Sequence, residues 1–160
     1  MKLYHGSNVI IDKIDLSLCN PDKDFGKGFY LSDVKRQAED MAQRRCRFTG
    51  KGEPCVTTFD FDESCLTSGA LRVLQFKEPD EEWAKFILEN RKASKTGYSH
   101  HFDIIIGPIA DDGVALQLNR YLRGLIDMKT LVKELTYREL SRQYYFGTEL
   151  SITKLSRIWN

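Results

Sequence analysis

The period of apolar and polar positions changes repeatedly along the chain, and the changes predict its elements. Residues 3–5 suit a short strand, and 6–28 form a loop rich in Asp, Asn, Pro and Gly. Residues 29–31 suit a second strand. Ser32 and Asp33 then carry the small oxygen-bearing side chains that start helices, before a helix-forming run over 34–47. On that run Val34, Ala38, Met41, Ala42 and Arg45 share one face. Residues 56–61 alternate in the manner of a half-buried strand, and 71–76 are another strand candidate. Over 80–91 Trp83, Phe86, Ile87 and Asn90 follow helical spacing, with acids at the start where the helix dipole favours them. Residues 92–101 read as a polar, flexible segment. Residues 102–106 read as the most deeply buried strand, 112–123 and 129–140 as helices, and 143–146 as a late strand; 150–158 has no clear period. Short strands among scattered helices predict an α+β domain. The regular strand–helix alternation of a doubly wound sheet is missing.

Composition narrows the class. At 160 residues, with 41% hydrophobic and 29% charged residues, the chain predicts a single domain over 1–160 that buries a core without staples. A formal charge of +1 argues against a strongly basic nucleic-acid binder and leaves room for a local patch. No apolar run approaches the roughly 20 residues of a membrane helix, and the start lacks a signal-like apolar stretch. The expectation is therefore a cytoplasmic protein with no membrane partner. Cys19, Cys46, Cys55 and Cys65 include no C-x-x-C pair, and two of the three histidines are adjacent, so no metal site is expected and the thiols are expected reduced.

Two segments carry candidate chemistry. Tyr4-His5-Gly6-Ser7 places an imidazole beside a glycine at a strand end, where backbone comes close to a ligand; alone, it is also an ordinary polar turn. Asp24-Phe25-Gly26-Lys27-Gly28-Phe29-Tyr30-Leu31-Ser32 sets two glycines around a lysine before an aromatic strand. Neither a kinase reading nor a phosphate-binding P-loop fits, because the companion motifs are missing.

Together these segments resemble the poly(ADP-ribose) polymerases. His-Gly-Ser, a variable loop, Gly-Lys-Gly-aromatic-Tyr and a helix follow in the same order. The likeness is specific over residues 4–7 and 24–33. Nearly the whole chain resembles a small bacterial family grouped with the ADP-ribosyltransferase superfamily, through Leu-Tyr-His-Gly-Ser, Asp-Phe-Gly-x-Gly-Phe-Tyr-Leu, Gly-Pro-x-Ala-Asp-Asp and a late Gln-Tyr-x-Phe. The resemblance implies a split antiparallel sheet flanked by helices, with NAD as co-substrate. It implies that His5 bonds the adenosine ribose, that the Gly6 backbone clamps the nicotinamide carboxamide beside Ser7, and that Tyr30 stacks on the nicotinamide. It puts Met41 where the polymerases have a second stacking tyrosine. It places Gly28 at the donor site and Asp22, Lys23 and Lys27 near the pyrophosphate, where a lysine suits a dianion.

A third segment, Arg142-Gln143-Tyr144-Tyr145-Phe146, stands where the superfamily starts a strand with its catalytic glutamate. Breaking the nicotinamide–ribose bond builds positive charge on the ribose, as in glycoside cleavage. Gln143 accepts the ribose hydroxyl but brings no charge; such an electrostatic contribution is worth about 10²–10³ in rate. Single transfer rather than polymer growth is therefore the expectation. Asp111 is the candidate for a compensating acid, with Asp112 as helix cap and Glu149 more remote. Arg44, Arg45 and Arg47 suit a helix C-terminus, or a phosphate or nucleic acid. His100 and His101 read as solvated, Trp83 and Phe86 as core.

The leading expectation is a mono-ADP-ribosyltransferase that moves ADP-ribose from NAD to a macromolecular acceptor, protein or nucleic acid, and releases nicotinamide. By resemblance such a free-standing enzyme suits the toxin of a toxin–antitoxin or phage-defence pair, with an antitoxin protein as partner. The rivals are a module that binds NAD or ADP-ribose without turnover, and a protein-interaction domain.

Overall fold

A computed structural model describes residues 1–137 and 140–159. The strands are β1 (Lys2–Ser7), β2 (Phe29–Ser32), β3 (Cys55–Phe61), β4 (Val73–Gln75), β5 (Ile104–Pro108), β6 (Arg142–Phe146) and β7 (Leu155–Ile158). The helices are α1 (Lys35–Thr49), α2 (Glu81–Asn90), α3 (Ala93–Thr96), α4 (Asp112–Leu122), α5 (Met128–Thr136) and α6 (Glu149–Ile152). The strands form one mixed sheet in the order β4-β5-β6-β2-β1-β3-β7. Only the β4–β5 pair is parallel; the other pairings are antiparallel. The α+β expectation holds.

Local chemistry sets the helix starts. Asp80, Asp111 and Asp127 each accept a hydrogen bond from the backbone amide three residues on, and Thr148 caps α6 in the same way. In α1 the N-cap position is Val34, whose side chain cannot accept; its amide donates instead to the Ser32 hydroxyl at 3.0 Å. Gly50, at φ 63°, closes the helix in the left-handed region.

Both faces of the central strands are buried. Ile105 and Tyr145 pack under Trp83, Ile87, Val114, Leu118, Leu131 and Leu135 of α2, α4 and α5. On the opposite face Leu3, Phe29, Leu31, Phe59, Phe61, Ile104, Ile106, Tyr144 and Phe146 form a second cluster. The rings of Phe61 on β3 and Phe146 on β6 are 5.2 Å apart. Three flat strand spacings would separate those strands by roughly 14 Å, so the sheet curls on itself until its two halves share a core.

Several expectations change. Of the residues that share one face of α1, Ala38 and Ala42 are buried, while Val34, Met41 and Arg45 are exposed. Gly6 is the cause: a Cβ there would sit 1.8 Å from the Ala38 carbonyl oxygen and 3.0 Å from the Ala42 amide, so helix backbone rests directly on strand backbone. Longer side chains on the same side are lifted clear. The polar segment 92–101 contains α3 and is tied to the loop before β2 by Asp22, which accepts from the Ser94 amide at 2.7 Å and from its hydroxyl. The aperiodic 150–158 stretch resolves into the end of α6 and the edge strand β7. The helix expected to reach residue 140 ends at Thr136; residues 138 and 139 of that expectation lie outside the described residues.

The Gly6 contact makes a direct prediction. Gly6→Ala must push α1 off the sheet, and overpacking of this kind costs about 1–3 kcal/mol. In a domain of this size the melting temperature falls by about 2–12 °C. An unchanged melting temperature would show that the helix is free to move.

Candidate functional site

Strand β1 lies along β3 for six residue pairs, from Lys2↔Asp60 to Ser7↔Cys55, yet pairs with β2 only at Tyr4↔Ser32. An unbroken ladder would continue with Gly6 opposite Tyr30. Instead the His5 ring enters the seam, and its Nδ1 donates to the Tyr30 carbonyl at 2.7 Å. The imidazole also stacks on Phe29, with centroids 4.3 Å apart. A carbonyl only accepts, so Nδ1 carries the proton and Nε2 is left as an acceptor. Burial lowers the His5 pKa, the bond to Tyr30 opposes that shift, and the nearby Arg45 charge adds to it. The ring is therefore neutral near pH 7, and Nε2 can accept a hydrogen bond from a ligand hydroxyl.

Beyond the seam, β2 and β6 pair at Ser32↔Gln143, and β5 and β6 at Gly107↔Gln143. Gln143 is buried, and its Nε2 donates to the Pro108 carbonyl at 3.3 Å, an acceptor shared with Trp83 Nε1. Gln37 of α1 completes this corner. It accepts from the Ser32 hydroxyl at 3.2 Å and donates to the Ser141 hydroxyl. Sequence reasoning missed Gln37; its signal was a polar residue one turn before Met41 on the side of α1 next to the Ala38–Ala42 stripe. Farther along α1, Arg44 reaches Asp112 at 3.6 Å. The line along which α1 faces the start of β6 and the β5–α4 connection, bridged by Gln37 and Arg44, is the candidate cleft.

Tyr30 lies on the same sheet face as Gln143, since Tyr30↔Tyr145 is two residues from Ser32↔Gln143. It is half-buried, and its ring meets Tyr145 edge-on at 5.4 Å. Its hydroxyl donates to the Gly26 carbonyl at 2.7 Å and accepts from the Phe25 amide at 3.0 Å. Burial pushes the phenol pKa well above its usual value, so it stays a donor. The rings of His5 and Tyr30 leave their strands on opposite sides: one rests on Phe29, the other against Phe25 and Tyr145. The two residues meet through the Tyr30 main chain, not across one ring-lined pocket. A ligand touching both must lie over the seam.

The other sequence candidates fall into place around this corner. Ser7 is buried at the end of β1, and Met41 is exposed on α1. Lys27 is exposed, and its carbonyl accepts from the Tyr145 hydroxyl at 3.0 Å; burial pushes that phenol up to about 12. Gly28 makes room for protein: a Cβ would lie 2.2 Å from the Tyr145 ring. The capping assignments exchange places, because Asp111 accepts the Val114 amide at 2.8 Å and caps α4, while Asp112 is the residue at the cleft rim facing Arg44.

The loop before β2 is clasped from below. Besides the Asp22–Ser94 contact, Asp24 pairs with Arg91 at 2.8 Å, and His100 Nε2 donates to the Phe25 carbonyl at 2.7 Å. His100 Nδ1 accepts from the Phe102 amide at 3.2 Å, so both ring nitrogens are committed. This histidine was expected in solvent. It lies instead among Phe86, Phe102 and Tyr145, at the wall of a cavity of about 310 Å³ that Asp22, Lys27 and Asn90 also line. Among the described residues no group of three or more His, Cys, Asp or Glu side chains could hold a metal, and no helix is long and apolar enough to cross a membrane.

These two histidines set a pH dependence. Burial lowers both pKa values below the unfolded value of about 6.5. The unfolded chain therefore takes up protons first as pH falls. Stability is expected to be level above about pH 7 and to decline below about 6.5. His100→Gln keeps a donor for Phe25 without titrating, and its melting temperature should fall less between pH 7 and pH 5. Parallel curves for the variant and the parent would remove His100 as a cause.

No curated protein and no solved structure matches the chain significantly. Residues 1–156 match the family described as "Protein of unknown function (DUF3990)", and the chain belongs to that family.

Proposed function

We propose that this chain is a mono-ADP-ribosyltransferase that uses NAD⁺ as donor and a macromolecule as acceptor. The observation that carries the reading is the His5 ring wedged between β1 and β2 with its Nδ1 on the Tyr30 carbonyl. That contact fits the motif resemblance of His-Gly-Ser and Gly-Lys-Gly-Phe-Tyr, because it brings the two segments to one seam and leaves an acceptor for a ribose hydroxyl. The Gly6 main chain, where the ladder stops, suits the carboxamide of nicotinamide. The Tyr30 ring, half-buried against Phe25 and Tyr145, is the candidate stacking partner, and the exposed Lys27 offers a counter-charge for the diphosphate.

In this reading the acceptor nucleophile forms a bond to the anomeric carbon of the ribose as the bond to nicotinamide breaks. Nicotinamide leaves with the bonding pair and becomes neutral, and the acceptor's proton passes to water. Gln143 Oε1 accepts from a ribose hydroxyl and orients the ring. It adds no charge to oppose the cationic transition state. Asp111, committed to the α4 cap, and Asp112, paired with Arg44, sit at the rim of the same cleft. The cationic leaving group carries the reaction, at a low rate.

Incubation with NAD⁺ labelled in the adenosine and with cell extract should release nicotinamide and leave label on a macromolecule. His5→Ala should abolish both while the fold survives. A folded protein that does neither overturns the reading. The missing charge gives a second expectation: Gln143→Glu should raise nicotinamide release by about 10²–10³-fold. A folded Glu variant no faster than the parent would mean that Gln143 does not face the reacting ribose. The rival is a module that only binds, favoured by the uncharged Gln143 and its bond to Pro108. It predicts calorimetric binding of NAD⁺ without nicotinamide release in either form.

A further inference from the structure

One flank of α1 runs from the interior of the protein to open solvent. Ala38 and Ala42 face the sheet, and at 100° per residue Gln37, Met41, Arg44, Arg45 and Phe48 follow one another along the adjoining side. The two ends of that stripe differ. Gln37 is bonded to Ser32 and Ser141 at the inner corner of the cleft. Arg44 stands at the cleft rim opposite Asp112, and Arg45 is close enough to His5 for its charge to depress the histidine. Phe48, at the outer end, is 90% exposed. The stripe leads from the reacting corner to open solvent.

Its chemistry is specific. A phenyl ring exposed to that degree has little packing among the described residues, while the guanidinium groups of Arg44, Arg45 and Arg47 belong to residues within one turn of it. Over its length α1 carries five basic residues and two acidic ones, although the whole chain is nearly neutral. The Arg44–Asp112 pair is long and solvent-exposed, so a phosphate displaces it at little cost. An aromatic platform beside closely spaced cations is the arrangement that holds single-stranded nucleic acid: bases stack on the ring and phosphates meet the cations.

We propose that this flank of α1 seats a single-stranded nucleic acid, which makes such a strand the acceptor of the transfer described above. The inference rests on the proposed activity for the word acceptor; the docking surface stands on Arg44, Arg45 and Phe48 alone. The strand stacks on Phe48, follows the two arginines inward and brings a nucleophile to the ribose at the Gln37–Gln143 corner. The bond-making step is the one already written.

Fluorescence anisotropy with end-labelled 12-nucleotide oligo(dT), oligo(U) and a duplex of equal length, without NAD⁺, tests the surface. The single strands should bind more tightly than the duplex, and the two single-strand probes separate DNA from RNA. Phe48→Ala should weaken binding about 5- to 100-fold with an unchanged melting temperature. Arg44→Gln with Arg45→Gln should make the slope of log affinity against log salt shallower by about 1.4. Loss of binding at 50 mM salt by the parent protein, or equal binding by the Phe48→Ala variant, overturns the proposal. Label from NAD⁺ that appears only on protein, and resists nuclease, overturns the acceptor assignment. Strand binding with no nicotinamide release would instead remove the transferase reading and leave the docking surface standing.

Discussion

A single side chain takes the place of a backbone hydrogen bond, and the arrangement of the cleft depends on it. Where an antiparallel ladder would put the Gly6 amide on the Tyr30 carbonyl, the His5 imidazole is inserted. The substitution satisfies the carbonyl, which would otherwise be an orphaned polar group. It also parts β1 from β2 and fixes the proton on Nδ1. A lysine would bring a permanent charge into the seam, and an aromatic hydrocarbon would leave the carbonyl unpaired. A neutral imidazole held on a ring stack meets both demands and keeps one nitrogen as an acceptor.

The rest of the fold supports that seam. The curl of the sheet brings β3 over β6, so the strands around β1 and β2 are held by a shared core and the ladder can stop early without fraying. Backbone-on-backbone contact between Gly6 and α1 brings the helix down to form one wall of the cleft. On the other side of β2 the loop from Asp22 to Lys27 is fastened residue by residue to α2, α3, His100 and Tyr145. Tyr30 joins the two systems, with its carbonyl in the seam and its hydroxyl on the loop. A disturbance of the loop therefore reaches the imidazole through one residue.

The chemistry of the cleft is donor-rich and short of negative charge. Gln143, Gln37, Ser32 and Ser141 present amides and hydroxyls, while Asp111 is engaged in a helix cap and Asp112 in an ion pair. Such a site orients a polar ligand well and stabilises a developing cation poorly. The balance fits a donor that arrives with its leaving group already activated.

Sequence pattern alone was sufficient for the strands at 29–31, 56–61 and 143–146 and for the helices over 80–91 and 112–123, because period and capping residues are local properties. His5, Tyr30 and Gln143 were singled out by the resemblance of their segments to the polymerases, since period and composition alone leave each of them in an ordinary strand end or turn. Sequence pattern left open which residues on the α1 face are buried, and it misjudged His100 and the order of Asp111 and Asp112. Those outcomes depend on what stands opposite. Gly6 lowers α1 until only alanines fit, three aromatic rings enclose His100, and the first turn of α4 selects the nearer aspartate. The chain's own order determined which groups are available and in which elements they lie. The curl of the sheet and the halted ladder between β1 and β2 decided which of them meet, because contacts between residues far apart in sequence are set by packing and not by local periodicity.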